Sequence, residues 1–215
     1  MSIRVTLKLA TSLDGRIATA TGESRWITGP AAREAVHRLR AVHLNVLVGV
    51  DTVIADDPEL TVRLGGYVGV QPRRIVFDSR QRIPQTAALV ATAKRTPTLV
   101  VTTTSSNKRL TDAGVTVLEV PANKGRVDVA AALKALEGAG VASILVEGGG
   151  QVAASFLNAN AVDALEWFRA PIVLGDEGLP AVGAFVLKDL AAAPRFRRIA
   201  VEAVGDDLWE RYERS

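Results

Sequence analysis

Four short apolar runs, rich in β-branched residues, recur along the chain: Asn45–Val50 (NVLVGV), Arg73–Asp78 (RRIVFD), Thr98–Thr103 (TLVVTT) and Ser143–Glu147 (SILVE). They lack the polar alternation of a half-exposed strand, so they suit strands covered on both faces, and helix-length segments separate them. That succession argues for an α/β domain built on a largely parallel sheet. A first strand, Ile3–Leu9, alternates. Helices are expected at Pro30–Arg40, where Pro follows Thr28-Gly29 as a start signal, at Asn107–Ala113 before Gly114, at Val127–Glu137 and at Gln151–Asn158. Val115–Val120 reads as a further strand. Beyond it, Ala164–Pro171, Ala184–Leu190 and Arg195–Val204 are strand-like with no helices between them, which predicts antiparallel additions, and Trp209–Arg214 closes an edge. The stretch from Asp51 to Pro72 is polar and reads as one long functional loop.

No linker, repeat or shift of composition divides the 215 residues, so a single domain over 1–215 is expected. The absence of cysteine excludes a disulfide scaffold, a thiolate zinc site and a cysteine nucleophile. The longest run free of charged residues, the fifteen from Gly148 to Val162, holds three Gly, a Gln and two Asn, and spans no membrane. Charges at Arg4 and Lys8 interrupt the start, which argues against a secretory signal and for a cytoplasmic protein. A net charge of +3 is too mild for a nucleic-acid binder. Of the 26 basic residues 20 are Arg, an excess that codon usage explains in bulk, so position decides which of them matter.

Three segments carry chemistry. In Ile144-Leu145-Val146-Glu147-Gly148-Gly149-Gly150-Gln151-Val152-Ala153 a strand enters a glycine turn and then a helix, a geometry that offers backbone N–H groups to a phosphate. The spacing Gly148-x-Gly150-x-x-Ala153 fits the dinucleotide fingerprint, yet only 62 residues follow Ala153, too few for a Rossmann domain. A phosphate site on another fold is the better reading. The second segment, Ser12-Leu13-Asp14-Gly15-Arg16 with Gly22-Glu23-Ser24-Arg25-Trp26-Ile27-Thr28-Gly29, puts a tryptophan in a polar loop, either to stack on a ligand ring or to plug the loop. The third, Asp51 to Arg63, combines carboxylates, a hydroxyl and an arginine. Neither His37 nor His43 has ligand spacing to those acids, so no metal is expected. Asp57-Pro58 reads as a turn or cap, leaving Asp56 and Arg63 as the functional candidates. No Gly-x-Ser-x-Gly elbow is present, which disfavours nucleophilic hydrolysis.

These segments, in this order, resemble the reductase domain of the bacterial riboflavin-biosynthesis deaminase–reductase family and the related archaeal diaminopyrimidine reductases. The stretches that carry the resemblance are LKLATSLDGRIA, GESRWITG, VHRLRA, VLVG, DTVIADDPELTVR, QPRRIVFDS and ILVEGGG, with a weaker continuation through Phe156-Leu157 and Pro171–Gly175. The resemblance implies a dihydrofolate-reductase-like three-layer α/β fold, with a mixed, mostly parallel central sheet and antiparallel C-terminal strands. It implies a homodimer that binds NADPH and a phosphorylated pyrimidine, reducing the ribosyl side chain of 5-amino-6-(5-phosphoribosylamino)uracil, or its diaminopyrimidinone analogue, to ribityl. Carried over by position, Ala10, Trp26, Thr52, Asp56, Ser79 and Gly149, Gly150, Gln151, Val152, Ala153, Ala154 and Ser155 would contact the cofactor. Ser24, Arg40, Leu60, Arg63 and Glu147 would contact the substrate, with Asp56 and Glu147 in the catalytic roles.

Two departures from the family pattern stand out. The zinc deaminase signature that bifunctional members carry needs cysteine, which this chain lacks, so a stand-alone reductase is expected. His43-Leu44-Asn45 replaces a small–Asp–small triplet at a strand start, where a structural effect is expected. A same-fold NADPH reductase of another substrate, such as a pterin, or a non-catalytic NADPH-binding protein would fit the same motifs less fully.

Overall fold

The computed structural model describes residues 3–215. In chain order the elements are β1 (Arg4–Thr11), β2 (Arg16–Ala18), α1 (Pro30–His43), β3 (Asn45–Gly49), α2 (Val50–Asp56), β4 (Arg73–Phe77), α3 (Ala88–Ala91), β5 (Thr98–Thr102), α4 (Lys108–Asp112), β6 (Thr116–Glu119), β7 (Ala122–Asn123), β8 (Arg126–Val127) and α5 (Val129–Gly138). They continue with β9 (Ser143–Val146), α6 (Gly150–Asn158), β10 (Ala164–Arg169), β11 (Leu179–Pro180), a 3-10 turn (Leu190–Ala192), β12 (Phe196–Val204) and β13 (Asp207–Arg214). The chain gathers into two compact units. One holds His37–Val146 with the N-terminal residues up to Arg4, and the other holds Val5–Val36 with Glu147–Ser215.

In the first unit the strand order is β9-β3-β4-β5-β6, parallel throughout. β3 and β5 are buried at every residue, the signature of strands covered on both faces. Val46, Val48, Val76 and Val100 from the strands pack with Val53, Leu89 and Leu110 from the helices into one core. The helix ends follow ordinary capping rules. Asn107 accepts the Arg109 amide to start α4, and Asp128 accepts the Ala131 amide to start α5. At the start of β3, Asn45 Nδ2 donates to Ser143 O at 2.9 Å and ties that strand to β9.

In the second unit β1 and β10 run parallel, and β13 and then β12 add antiparallel to β10. Phe168 of β10 is fully buried and stacks on Trp209 of β13, with ring centroids 5.3 Å apart. The Gly29 amide, just before α1, donates to the buried Asp207 carboxylate at 2.7 Å, fixing where that helix begins. Ala32 and Ala35 of the expected helical face are buried, as are Val36 and Leu39.

The mixed, mostly parallel sheet with antiparallel C-terminal strands is therefore present, with corrections in detail. β10 pairs parallel to β1, so the antiparallel region begins only at β13. Ala184–Leu190 is not a strand. Its apolar Val186 is 85% exposed, so composition there reflects no buried face. The loop expected from Asp51 opens instead as α2, a two-turn helix whose Val50 and Val53 are buried one turn apart.

Candidate functional site

In the first unit the candidate residues leave the carboxyl ends of two neighbouring strands, β3 and β4. β3 passes through Gly49 directly into α2, which carries Thr52 and ends at Asp56, both half-buried. Asp57 then adopts a left-handed conformation (φ 41°) at the end of α2, and its carboxylate accepts the Ala88 amide at 2.8 Å, at the start of α3 and 31 residues away in sequence. Leu60 is also left-handed (φ 54°), with its side chain inside the core beside Val50 and Val53. What it offers a ligand is backbone.

The segment Thr61–Arg63 is held from two sides. Both backbone groups of the buried Val62 bond the side-chain amide of Gln71, N–H to Oε1 at 2.7 Å and C=O from Nε2 at 3.2 Å. From α1, Arg40 Nη1 donates to Thr61 O at 3.0 Å, and His37 Nδ1 lies within reach of both Thr61 O and Arg63 N. The Arg63 guanidinium meets Glu59 at 3.2 Å with both side chains more than half exposed. Such a pair is worth about 0–1 kcal/mol, so an incoming dianion can displace it.

Ser79 follows β4. Its Oγ accepts the Val127 amide at 3.0 Å and its carbonyl accepts the Thr103 hydroxyl at 2.9 Å, so it braces β8 and the end of β5. Gln81, left-handed at φ 52°, donates to Thr104 Oγ1 at 2.8 Å and Ser105 O at 2.7 Å. Exposed Arg82 pairs with Asp51, and that hydrogen bond raises the guanidinium above its ordinary value.

The second unit holds the glycine turn. Gly149 has φ 75°, a conformation that L side chains rarely adopt, and α6 begins with neither a side-chain cap nor an acidic residue in its first turn. The leading N–H groups of such a helix have no intrahelical acceptor and carry the positive end of its dipole. These features fit the anionic pyrophosphate of a dinucleotide. Gly150 is glycine for another reason: a Cβ there would lie 2.4 Å from Pro180 O, and its carbonyl accepts the Gly183 amide at 2.8 Å. Of the carried-over run, Ala153 and Ala154 are buried and Ser155 Oγ donates to Val152 O at 2.8 Å within the helix. Gln151 of the first turn is exposed, and Val152 and Ser155 are half-buried.

Glu147, directly after β9, and Ser24 are half-buried, as is Ala10 of β1, which pairs in register with Phe168. Trp26 is 68% exposed, with the Arg33 guanidinium 4.4 Å from its ring centroid. An indole this exposed does not plug the loop. Asp14, which reads in sequence as an ordinary turn residue, accepts from Ser12 Oγ at 2.6 Å, Gly175 N at 2.8 Å and Leu174 N at 3.1 Å. The Ser12 hydroxyl above all, with those two amides, holds its carboxyl at about 2. His37, Gln71, Pro180 and Gly183 were not singled out by sequence reasoning, because they act on backbone atoms that no local pattern marks.

Among the described residues no cluster of three or more His, Cys, Asp or Glu is placed to hold a metal ion, and no helix is long and apolar enough to cross a membrane.

A model of the RibD C-terminal domain family matches residues 4–209. The riboflavin biosynthesis protein RibD of Bacillus amyloliquefaciens is 37% identical over 212 residues, covering 95% of this chain and 55% of that protein. The solved structure of Acinetobacter baumannii RibD is similar with a TM-score of 0.86 at 32% identity, over 100% of this chain and 58% of that one. A diaminohydroxyphosphoribosylaminopyrimidine deaminase/5-amino-6-(5-phosphoribosylamino)uracil reductase from Thermotoga maritima is similar at TM-score 0.84 and 28% identity, over 100% of this chain and 57% of that one. The chain thus spans little more than half the length of these relatives. Their reductase domains have the dihydrofolate-reductase-like fold expected from the resemblance.

Proposed function

The chain belongs to the RibD C-terminal domain family, and on that premise we propose that it is an NADPH-dependent oxidoreductase of riboflavin biosynthesis. Its substrate is 5-amino-6-(5-phosphoribosylamino)uracil or the diaminopyrimidinone analogue, whose ribosyl side chain it reduces to ribityl. We take it to act in the cytoplasm as a homodimer. One observation carries the reading: Thr52, Asp56 and Arg63 follow the end of β3 and Ser79 follows the end of the adjacent parallel β4. Ligands of open α/β sheets bind outside such carboxyl ends.

When bound, NADPH supplies a hydride to C1 of the opened sugar. The first turn of α6, which opens at Gly149 without a side-chain cap from that residue, would hold its pyrophosphate through backbone N–H groups. Trp26, exposed and already stacked by Arg33, would meet a ring of the cofactor. For C1 to accept a hydride the ribosylamine first opens to an imine, and the nitrogen gains a proton as C1 is reduced. Asp56, half-buried at the end of α2, holds that proton, and Glu147 orients a polar group of the substrate. Arg63 clamps the 5-phosphate in place of Glu59, trading a weak exposed pair for a charge-assisted bidentate contact. Arg40 adds positive charge and, through Thr61 O, steadies the backbone beside that clamp.

Steady-state kinetics test these roles separately. Arg63→Ala should raise KM for the phosphorylated pyrimidine about 10- to 100-fold with kcat little changed. Asp56→Asn should lower kcat by about 100-fold or more while dinucleotide affinity holds. An unchanged KM removes Arg63 from the phosphate, and wild-type turnover in the second variant removes Asp56 from the proton path.

A further inference from the structure

His37 lies one turn before Arg40 on α1, half-buried, with Nδ1 3.1 Å from Thr61 O and 3.2 Å from Arg63 N. A neutral imidazole nitrogen either donates or accepts. If Nδ1 carries the proton it donates to Thr61 O, which already accepts from Arg40 Nη1 at 3.0 Å, and the Arg63 amide then faces a second donor. With the proton on Nε2, Nδ1 accepts the Arg63 amide and Thr61 O keeps Arg40. Only the second arrangement gives each of these groups a partner.

We propose that His37 is a positioning residue for Arg63: its neutral imidazole accepts the Arg63 amide through Nδ1 and so fixes the backbone from which the guanidinium reaches the substrate phosphate. The proposal rests on the reading of Arg63 as the phosphate clamp. The surroundings show why such an anchor matters. On one side Leu60 is in the core and Val62 is locked to Gln71. On the other the chain leaves the core altogether, with Val68 at 99% exposure. Arg63 sits at the boundary, and among the described residues its guanidinium bonds neighbours on its own segment, Glu59 at 3.2 Å and Thr61 Oγ1 at 3.4 Å. The backbone of that segment therefore sets where the side chain starts. Fixing that origin before binding lowers the ordering cost of the clamp.

Two variants and two readouts test the role. His37→Leu removes the acceptor. His37→Asn restores it, because the amide oxygen of an asparagine branches from Cγ as the imidazole Nδ1 does. In His37→Leu the Arg63 amide should lose its protection from hydrogen exchange, followed by NMR. KM for the phosphorylated pyrimidine should rise about tenfold with kcat within about twofold. KM for the dephosphorylated pyrimidine should not move, a selectivity that general loss of structure would not give. His37→Asn should recover both readouts. Unchanged protection in His37→Leu, an equal loss on both pyrimidines, or His37→Asn as impaired as His37→Leu would each overturn the proposal. Arg63→Ala assayed alongside separates the two levels. An unchanged KM there sinks the phosphate assignment and the proposal with it, while a raised KM there with a normal His37→Leu overturns His37 alone.

Discussion

At the residue scale two buried or bonded charges do structural work away from the candidate site. Arg74 of β4 is 1% exposed and donates to Thr92 Oγ1 at 2.7 Å, Leu89 O at 3.3 Å and Thr96 O, which binds α3 and the turn after it onto the sheet. Burial pulls its pKa down to about 10, so it stays cationic at neutral pH. Its partners are neutral oxygens, and removing it leaves a cavity and takes the short donor from Thr96 O, while Leu89 O keeps the Thr98 hydroxyl at 2.8 Å. Arg74→Ala should therefore cost about 3–5 kcal/mol in urea denaturation, and an unchanged midpoint would contradict that role. Asp14 makes a pH-dependent contribution. Its folded carboxyl, at about 2, lies below the ordinary 3.8, so the unfolded chain takes up the proton first as pH falls. The stabilisation is present above the ordinary value and is lost between there and about 2. The stability gap between wild type and Asp14→Asn should accordingly shrink as urea unfolding is repeated from pH 5 down to pH 2. A gap constant over that range would mean that the Ser12, Leu174 and Gly175 bonds do not depend on the charge.

At the element scale the glycine turn divides into two requirements that the sequence motif runs together. Gly149 is needed for its left-handed backbone, and Gly150 for its closeness to the chain at Pro180–Gly183. A methyl group at 150 has backbone 2.4 Å away and must push it, so Gly150→Ala should destabilise by about 1–3 kcal/mol. Gly138, at the end of α5, has nothing within 4 Å of a Cβ, and Gly138→Ala should be neutral or stabilise by up to about 1 kcal/mol. Thermal melts of the two variants check the contrast, which a similar loss in both would refute. The elements themselves were legible where burial sets the pattern. β3, β4 and β5 stand within a residue of the runs NVLVGV, RRIVFD and TLVVTT, because strands buried on both faces are apolar over most of their length, the arginines that open β4 apart. α2 was not legible. Its seven residues include Asp51 and Asp56 and bury only Val50 and Val53, too short a period to stand out from a polar loop. Ala184–Leu190 misled in the opposite sense, since Val186, Leu187 and Leu190 are exposed and only Phe185 is half-buried, which leaves no strand face to set a period.

At the scale of the whole molecule, the candidate chemistry is split between the two units. Thr52, Asp56 and Arg63 belong to the first, and Trp26, Glu147 and the α6 turn to the second. Spacing alone pointed to the glycine turn and to the acid–arginine loop, because a glycine run at a strand-to-helix turn and clustered charges leave a local signature. The assignment of Ala10, Ser24 and Leu60 came only through the family resemblance, and Leu60 shows why: its side chain is core, so nothing in its chemistry marks a ligand contact. His37 and Gln71 stayed hidden because what they hold is backbone, 26 and 9 residues away in sequence. The central claim is that these residues serve the reduction of a ribosyl side chain by NADPH. Its most direct measurement is NADPH oxidation by the purified protein with 5-amino-6-(5-phosphoribosylamino)uracil and, separately, the diaminopyrimidinone analogue, with the product identified by mass. The expected result is oxidation of one NADPH per substrate and a product that has gained two hydrogens, as a ribityl chain requires. Tight binding of NADPH with no oxidation on either pyrimidine would contradict it.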